Sequence, residues 1–295
     1  MIDLDALAQA ASALDPLPTS ATRLAAMVCI DGTPDLLDVV DVVRFDEALT
    51  AMLLRTANSS WSASRVEITT VRDAVVRLGA SAVLSVALGT GVRSRMVTSI
   101  PEYGLAEGEL WSHSVAASLA AELIVRISPV NLPVETITGA LLHDVGKLVM
   151  ARFLSADLLE LLATRQADAT PPGSDRLDAE SELLGVNHAE LGGLILQCWT
   201  LPERLVRAVS YHHRPELGLD LTCSGAHLAD VIAKRVGLSG PKVGRAGAGE
   251  RVDDNVDPER FAAALADLQL TADDADQIAA TTKARLEEVL ARYAA

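Results

Sequence analysis

The chain runs to 295 residues, of which 49% are hydrophobic and only 3% aromatic, and it carries a formal net charge of −15. That length holds one large domain or two smaller ones, and a composition dominated by Ala, Leu and Val predicts closely packed helices. The acidic field has no basic stripe to offset it, which excludes a generic binder of the nucleic-acid backbone.

In chain order, the first hundred residues predict a succession of short helices. Leu17-Pro18-Thr19-Ser20 precedes an amphipathic run from Leu24 to Ile30. Thr33-Pro34-Asp35 reads as an N-cap, a proline and a first-turn acid, after which Leu36, Leu37, Val39, Val40, Val42 and Val43 give one apolar face. Asp46 is placed to cap a helix over Ala48 to Ala57 that ends at Asn58-Ser59-Ser60. Thr69-Thr70 caps Val71 to Leu78, Gly79 stops it, and Ser81 starts a helix through Leu88. Strand character is confined to Arg65 to Thr69. The apolar run Ala82 to Val92 is too short and too interrupted by Ser85, Gly89 and Gly91 to predict a membrane span.

A break at Ile100-Pro101-Glu102-Tyr103-Gly104 leads into a longer expected helix, Ala106 to Ile127, and one or two more over Val134 to Leu154. Ala167 to Asp178, with Pro171-Pro172-Gly173, reads as a loop. Helices resume at Ala179, run through His188 to Trp199, restart with Pro202 at a first helical position and continue to Ala226–Val236. Residues 237–257 are glycine-rich without apolar periodicity and predict a flexible connector. Pro258 to Leu268 and Ala272 to Tyr293 are a closing amphipathic pair. The expected organisation is all-α: an N-terminal helical subdomain over 1–100, a helical core over 101–236, the connector over 237–257 and a short helical extension over 258–295.

The N-terminus has no basic segment leading into an apolar one, so no secretory signal is expected. Cys29, Cys198 and Cys223 are odd in number, widely spaced and set among apolar residues, the pattern of reduced core thiols in a cytoplasmic protein.

The chemistry gathers around Ala140 to Met150, where His143 and Asp144 stand side by side among apolar residues and Lys147 follows one helical turn later. Three such groups on a buried helix are costly unless something pairs with them, which points to a metal or a phosphate. All six histidines lie between positions 113 and 230. His113 has Glu109 four residues before it on the same helical face. His188 begins a helix, His212 and His213 end another, and Asp230 sits three residues after His227 on a last core helix. Mixed imidazole and carboxylate donors suit a divalent Fe, Mn or Zn ion, and two ions held together would act on phosphate esters.

That order of residues, His113, His143-Asp144 with Gly146-Lys147, His188, His212-His213 and Asp230, resembles the HD superfamily of metal-dependent phosphohydrolases. Leu17-Pro18, Leu53-Leu54-Arg55-Thr56-Ala57-Asn58-Ser59 and Ile68 through Gly79 are similar to the HDOD branch, the HD-related output domains of bacterial signalling proteins. Leu110-Trp111-Ser112-His113-Ser114 and His188-Ala189-Glu190-Leu191-Gly192 continue the likeness, which spans residues 15 to 236. It implies an HD-type helical core and an intracellular signalling module that engages protein partners through its helical surface. HDOD domains often lack some metal ligands, whereas this chain keeps a nearly full set, including Glu109, which matches the extra carboxylate of the HD-GYP phosphodiesterases. No Gly-Tyr-Pro follows His212-His213; the next residues are Arg214-Pro215-Glu216-Leu217-Gly218, so the likeness does not extend to cyclic di-GMP as substrate.

The resemblance therefore implies a pocket able to hold one or more divalent ions through Glu109, His113, His143, Asp144, His188, His212, His213 and Asp230. A metal-dependent phosphohydrolase is the alternative to a pure signalling module, with Asp144 and Lys147 in catalytic roles. A sensor that binds a phosphate-containing ligand without turnover is a third reading. Plainer roles stand beside these. His143-Asp144 could be a hydrogen-bonded pair locking two helices, and Lys147 a salt bridge to Asp144 or Asp230. His188 could be a helix cap, only one of His212 and His213 is expected to face inward, and His227 reads as a core residue. Trp61, Trp111 and Trp199 read as core fillers.

Overall fold

Small polar residues decide where the N-terminal helices of this computed structural model begin. The described residues are 4–30, 34–59, 67–168, 176–238 and 257–294, and among them every regular element is a helix. Trp61, Arg65 and Val66, the Pro171-Pro172-Gly173 loop and nearly all of the 237–257 connector lie outside them, and Glu67 to Thr69 form no strand. α1 (Leu4–Ser12) and α2 (Thr19–Cys29) lead to α3 (Leu36–Val43), whose N-cap is Asp35, accepting from Leu37 N at 2.9 Å. The expected earlier start at Thr33 is thus replaced by an aspartate cap after the proline. α4 (Glu47–Ala57) is capped by Asp46 through Leu49 N at 2.9 Å, and α5 (Val71–Leu78) by Thr70 through Asp73 N at 3.1 Å.

Gly79, at φ 79°, ends α5 and turns the chain directly into α6 (Ala80–Met96). α6 does not stop at Leu88. It continues through Gly91, where a Cβ would come within 2.9 Å of the Pro18 ring and 3.1 Å of Leu17, so the glycine serves close approach and not helix termination. Leu17-Pro18 is the other half of that contact.

A 3₁₀ turn at Pro101–Tyr103, closed by backbone bonds between Ile100 and Leu105, joins this layer to the rest. α7 (Glu109–Ile127) follows, then α8 (Glu135–Leu142), α9 (Lys147–Met150), α10 (Ala156–Asp168), α11 (Arg176–Leu184), α12 (His188–Cys198), α13 (Glu203–Ser210), α14 (Pro215–Gly218), α15 (Leu221–Leu238), α16 (Pro258–Asp267) and α17 (Ala272–Ala294). α7 is central because it is apolar on two faces. Leu110, Trp111, Val115 and Leu119 join the core shared with α1 to α6, α12 and α13, while Ala116, Ala117, Ala120, Ala121 and Ile124 pack on α15, α16 and α17. The alanines let α15 approach closely, so polar side chains on α7, α8 and α15 meet in the middle. α17 lies along α7 and reaches α4, tying the C-terminal extension to both layers. Among the described residues no single helix is long and apolar enough to cross a membrane.

Candidate metal centre

The His143-Asp144 pair sits at a junction between two helices, not inside one. α8 ends at Leu142 and α9 begins at Lys147. Tighter bonds span the gap, Val145 N to Leu142 O at 3.0 Å and Lys147 N to Asp144 O at 3.0 Å. His143 contributes to this break, because its ring Nδ1 takes the Ala140 carbonyl at 2.8 Å, competing with the backbone for an acceptor. The start of α12 packs against the junction at Gly146, where a Cβ would lie within 2.7 Å of Gly192 N and would fall on the His188 carbonyl. α12 itself opens with a capping box in which Asn187 accepts from Glu190 N and Glu190 accepts from Asn187 N. The cap is therefore Asn187, and His188, at the first helical position, is free to point inward, fully buried.

Asp144 is the hinge of the resulting cluster. Its Oδ2 lies 3.2 Å from His143 Nε2 and 3.6 Å from His113 Nε2, while its Oδ1 lies 3.6 Å from His188 Nε2 and 3.9 Å from His212 Nε2. Asp230 Oδ1 joins the first side, 3.1 Å from His113 Nε2 and 3.5 Å from His143 Nε2. His213 joins the second, its Nε2 3.0 Å from His188 Nε2. His212 and His213 thus both face inward, since the chain turns sharply after α13 and buries each ring. Three donor groups have their ligand atoms within 4.8 Å of one another: His113, His143 and Asp144; His143, His212 and Asp230; and His188, His212 and His213.

Two lysines close the outer side. Lys147 Nζ lies 3.0 Å from Asp144 Oδ2, and Lys234 Nζ lies 3.0 Å from Asp230 Oδ2. Lys147 therefore pairs with Asp144, and Asp230 takes a different ammonium four residues along α15. Glu109 remains at the start of α7, where its carboxylate accepts the Ala106 N–H at 2.8 Å, and it belongs to none of the three donor groups. His227 stands outside the ligand set and donates from Nδ1 to the His212 carbonyl at 2.7 Å, bracing the turn that carries the histidine doublet.

The tautomers follow from these partners. Carbonyls and carboxylates only accept, so Nδ1 of His143, His188 and His212 must donate, to Ala140 O, Glu180 Oε2 and Val209 O respectively. The inward atom of each ring is then Nε2, which carries a lone pair whenever the ring is neutral. Among the described residues His212 Nε2 is buried with no hydrogen-bond partner, a nitrogen aimed into the cluster with nothing to accept from. Burial pushes the pKa of His212 well below the usual histidine value and His143 adds to the effect; for His213 burial is followed by His212 and Lys234. Burial also works against charge on His143, but Asp144 and Asp230 outweigh it and raise its pKa to about 10. Asp144 and Asp230 would be raised by burial, yet His143 and Lys147 hold the first well below the carboxylate range and Lys234 with the histidines holds the second. A divalent ion requires neutral imidazoles and ionised carboxylates; His212, His213, Asp144 and Asp230 are already in that form, and His143 would give up its second proton on binding one.

Tyr103, Glu180 and Lys234 support this site without having drawn notice in the sequence. Lys234 had a usable signal, its four-residue spacing from Asp230. Tyr103 and Glu180 had none, because their hydroxyl–carboxylate bond of 2.8 Å joins positions 77 residues apart.

Comparison with known proteins agrees with this architecture. A family model of the HDOD domain matches residues 14–215. An uncharacterized protein of Treponema pallidum (strain Nichols) is 24% identical over 209 residues, which is 70% of this chain and 39% of that protein. The chain thus spans well under half the length of that relative. Among solved structures, an HDOD domain protein of unknown function from Geobacter sulfurreducens superposes with a TM-score of 0.65 at 23% identity, covering 99% of this chain and 98% of the other. A candidate phosphohydrolase from Shewanella amazonensis SB2B gives 0.63 at 23% identity, over 95% and 94%. These likenesses are of fold.

Proposed function

The chain belongs to the HDOD domain family, and from that premise we propose that it is a signalling module whose helical core holds two divalent ions and hydrolyses a phosphate ester. The observation that carries this reading is the orientation of Asp144, which offers one oxygen to His113 and His143 and the other to His188 and His212. A carboxylate turned both ways between two imidazole sets could serve ions held on either side of it. His113, His143, Asp144 and Asp230 would hold one ion, and Asp144, His188, His212 and His213 the other. The mixed donor set suits Fe, Mn or Zn. Such a pair supplies Lewis acidity toward a phosphoryl group and a source of nucleophilic water at neutral pH.

The chain's own residues do the rest. Lys234 occupies the outer oxygen of Asp230 and so presents Oδ1 alone to the cluster. Lys147, seated on Asp144, is an ammonium positioned to meet a phosphate oxygen and offset the charge developing there. His113 is the most open of the ligand-type histidines, its side chain 17% exposed, which marks the side from which a substrate would enter. The Shewanella protein of the same fold is itself a candidate phosphohydrolase. As a signalling module, the domain would meet protein partners through its N-terminal helices, where Leu37, Phe45 and Val76 are exposed.

The test is metal analysis of protein purified without chelator, followed by hydrolysis of bis(p-nitrophenyl) phosphate with added Mn or Fe. The expected result is about two ions per chain and an activity that Asp144→Asn lowers by at least about 100-fold. Protein that holds no metal and hydrolyses nothing would sink the proposal. A second reading, binding of a phosphate ligand without turnover, is favoured by the two lysine–aspartate pairs, which leave the cluster less dependent on bound ions for charge balance. It predicts ligand-induced thermal stabilisation of metal-loaded protein in the absence of hydrolysis.

A further inference from the structure

We propose that Glu180 is a positioning residue that sets His188 as a ligand, and that Tyr103 holds Glu180 in turn, so that one of the two metal positions is assembled by a relay from outside the ligand set. The inference rests on the two-ion reading above. It starts from a difference among the histidines. His143 and His212 each follow a helix and can anchor Nδ1 on a carbonyl of the preceding turn, Ala140 O and Val209 O. His188 opens α12 and has no preceding turn of its own helix to use. Glu180, on α11, fills that role.

Glu180 is fully buried and its two oxygens are divided between two tasks. Oε2 accepts both the His188 backbone N–H at 2.9 Å and the His188 ring Nδ1–H at 2.8 Å, which fixes the ring relative to its own helix start. Oε1 accepts the Tyr103 hydroxyl at 2.8 Å. The negative charge lies at the first N–H groups of α12, where a helix favours it. With Nδ1 committed, His188 Nε2 faces Asp144 Oδ1 at 3.6 Å and His213 Nε2 at 3.0 Å. A carboxylate partner makes an imidazole a stronger donor than a carbonyl partner does, so the position formed by Asp144, His188, His212 and His213 gains affinity that the other position lacks.

Tyr103 connects the relay to the rest of the molecule. It belongs to the 3₁₀ turn between α6 and α7, its ring meets the His188 ring edge-on at 6.1 Å, and Lys147 Nζ lies 5.4 Å from its centroid. The same side chain thus touches the positioned histidine, its carboxylate and the lysine of the site. A shift of the turn that joins the two helical layers would be felt at one metal position first.

Cobalt(II) titration of the chelator-stripped full chain, followed by equilibrium dialysis and the visible spectrum of the bound ion, tests this. Wild type is expected to take up two equivalents. Glu180→Gln keeps the shape, since its oxygen can face His188 and its amide the Tyr103 hydroxyl, but removes the charge; it is expected to weaken one equivalent by about 10- to 100-fold and leave the other unchanged. Tyr103→Phe should weaken that same equivalent by a smaller factor, and it carries the test if Glu180→Gln does not fold. Two equivalents bound as in wild type by both variants, or both equivalents weakened alike, would overturn the positioning role. Wild type that binds no cobalt would instead remove the two-ion reading itself, and this inference with it.

Discussion

At Gly146 the backbone of the His143-Asp144 turn runs against the first turn of α12, and the atoms a Cβ would strike are the His188 carbonyl and the Gly192 amide nitrogen. Both belong to the backbone of a capped helix, so no side-chain rotation can relieve the clash. Gly146→Ala is therefore expected to destabilise the fold by about 3 kcal/mol, the upper range for overpacking, and to draw His188 away from Asp144. Urea denaturation beside wild type measures the loss; one below about 0.5 kcal/mol would show that α12 slides freely on the junction. Burial of the polar side chains at 143, 144 and 230 was legible in the sequence, because they sit in apolar surroundings that imply a partner, whereas of His212 and His213 only one was expected to turn inward and both do. The division of Asp144 between two imidazole sets was not legible, since it depends on how four helices cross. Glu109 keeps the spacing that places it on the face of His113, and its Oε2 also accepts the Ala106 N–H.

At the level of elements, the capping signals at Asp46 and Thr70 and the glycine turn at Gly79 act at the positions their chemistry implies, because the two caps are side-chain bonds to a backbone group three residues on and the glycine's positive φ closes its turn on the Val75 carbonyl. Features that depend on distant packing read less well: α6 runs past two glycines to meet Leu17-Pro18, and the His143-Asp144 turn interrupts what periodicity presents as continuous helix. Asn58 lies between these cases. It ends α4 as the sequence suggests, but its side chain also reaches ten residues on, donating from Nδ2 to Ile68 O at 2.7 Å and accepting Ile68 N at Oδ1 at 2.7 Å. That reciprocal pair mimics the exchange between two strands and fixes the approach to α5. Asn58→Ala is expected to cost about 1–2 kcal/mol, and Asn58→Asp, which keeps the acceptor but loses the donor, about half as much. Chemical denaturation of both variants distinguishes them; equal losses would mean that the bond from Ile68 N contributes nothing.

For the molecule as a whole, the buried cluster ties stability to pH in two opposing directions when no ion is bound. His143 is raised from 6.5 to about 10 because burial, which disfavours its charge, is outweighed by Asp144 and Asp230. In the folded state it stays protonated after the unfolded chain has lost that proton, so its contribution is complete below pH 6.5 and drains away as pH rises toward about 10. His212 and His213 are lowered, by burial first and then by neighbouring charge. Their contribution is complete above 6.5 and is lost as pH falls, because the unfolded chain then takes up protons that the folded one refuses. Asp144 and Asp230, both lowered, add a further loss once pH drops below their usual 3.8. The slopes change sign between these groups, so chelator-stripped protein is expected to melt at its highest temperature near pH 6.5 and at lower temperatures on either side. Bound metal replaces the second proton on His143, which removes the loss on the alkaline side and shifts the maximum upward. Melting scans from pH 5 to about 9.5, with and without added Mn, read both limbs. A stripped protein whose melting temperature rises steadily through pH 9, or a maximum that metal leaves in place, would mean that His143 does not hold its extra proton between the two carboxylates.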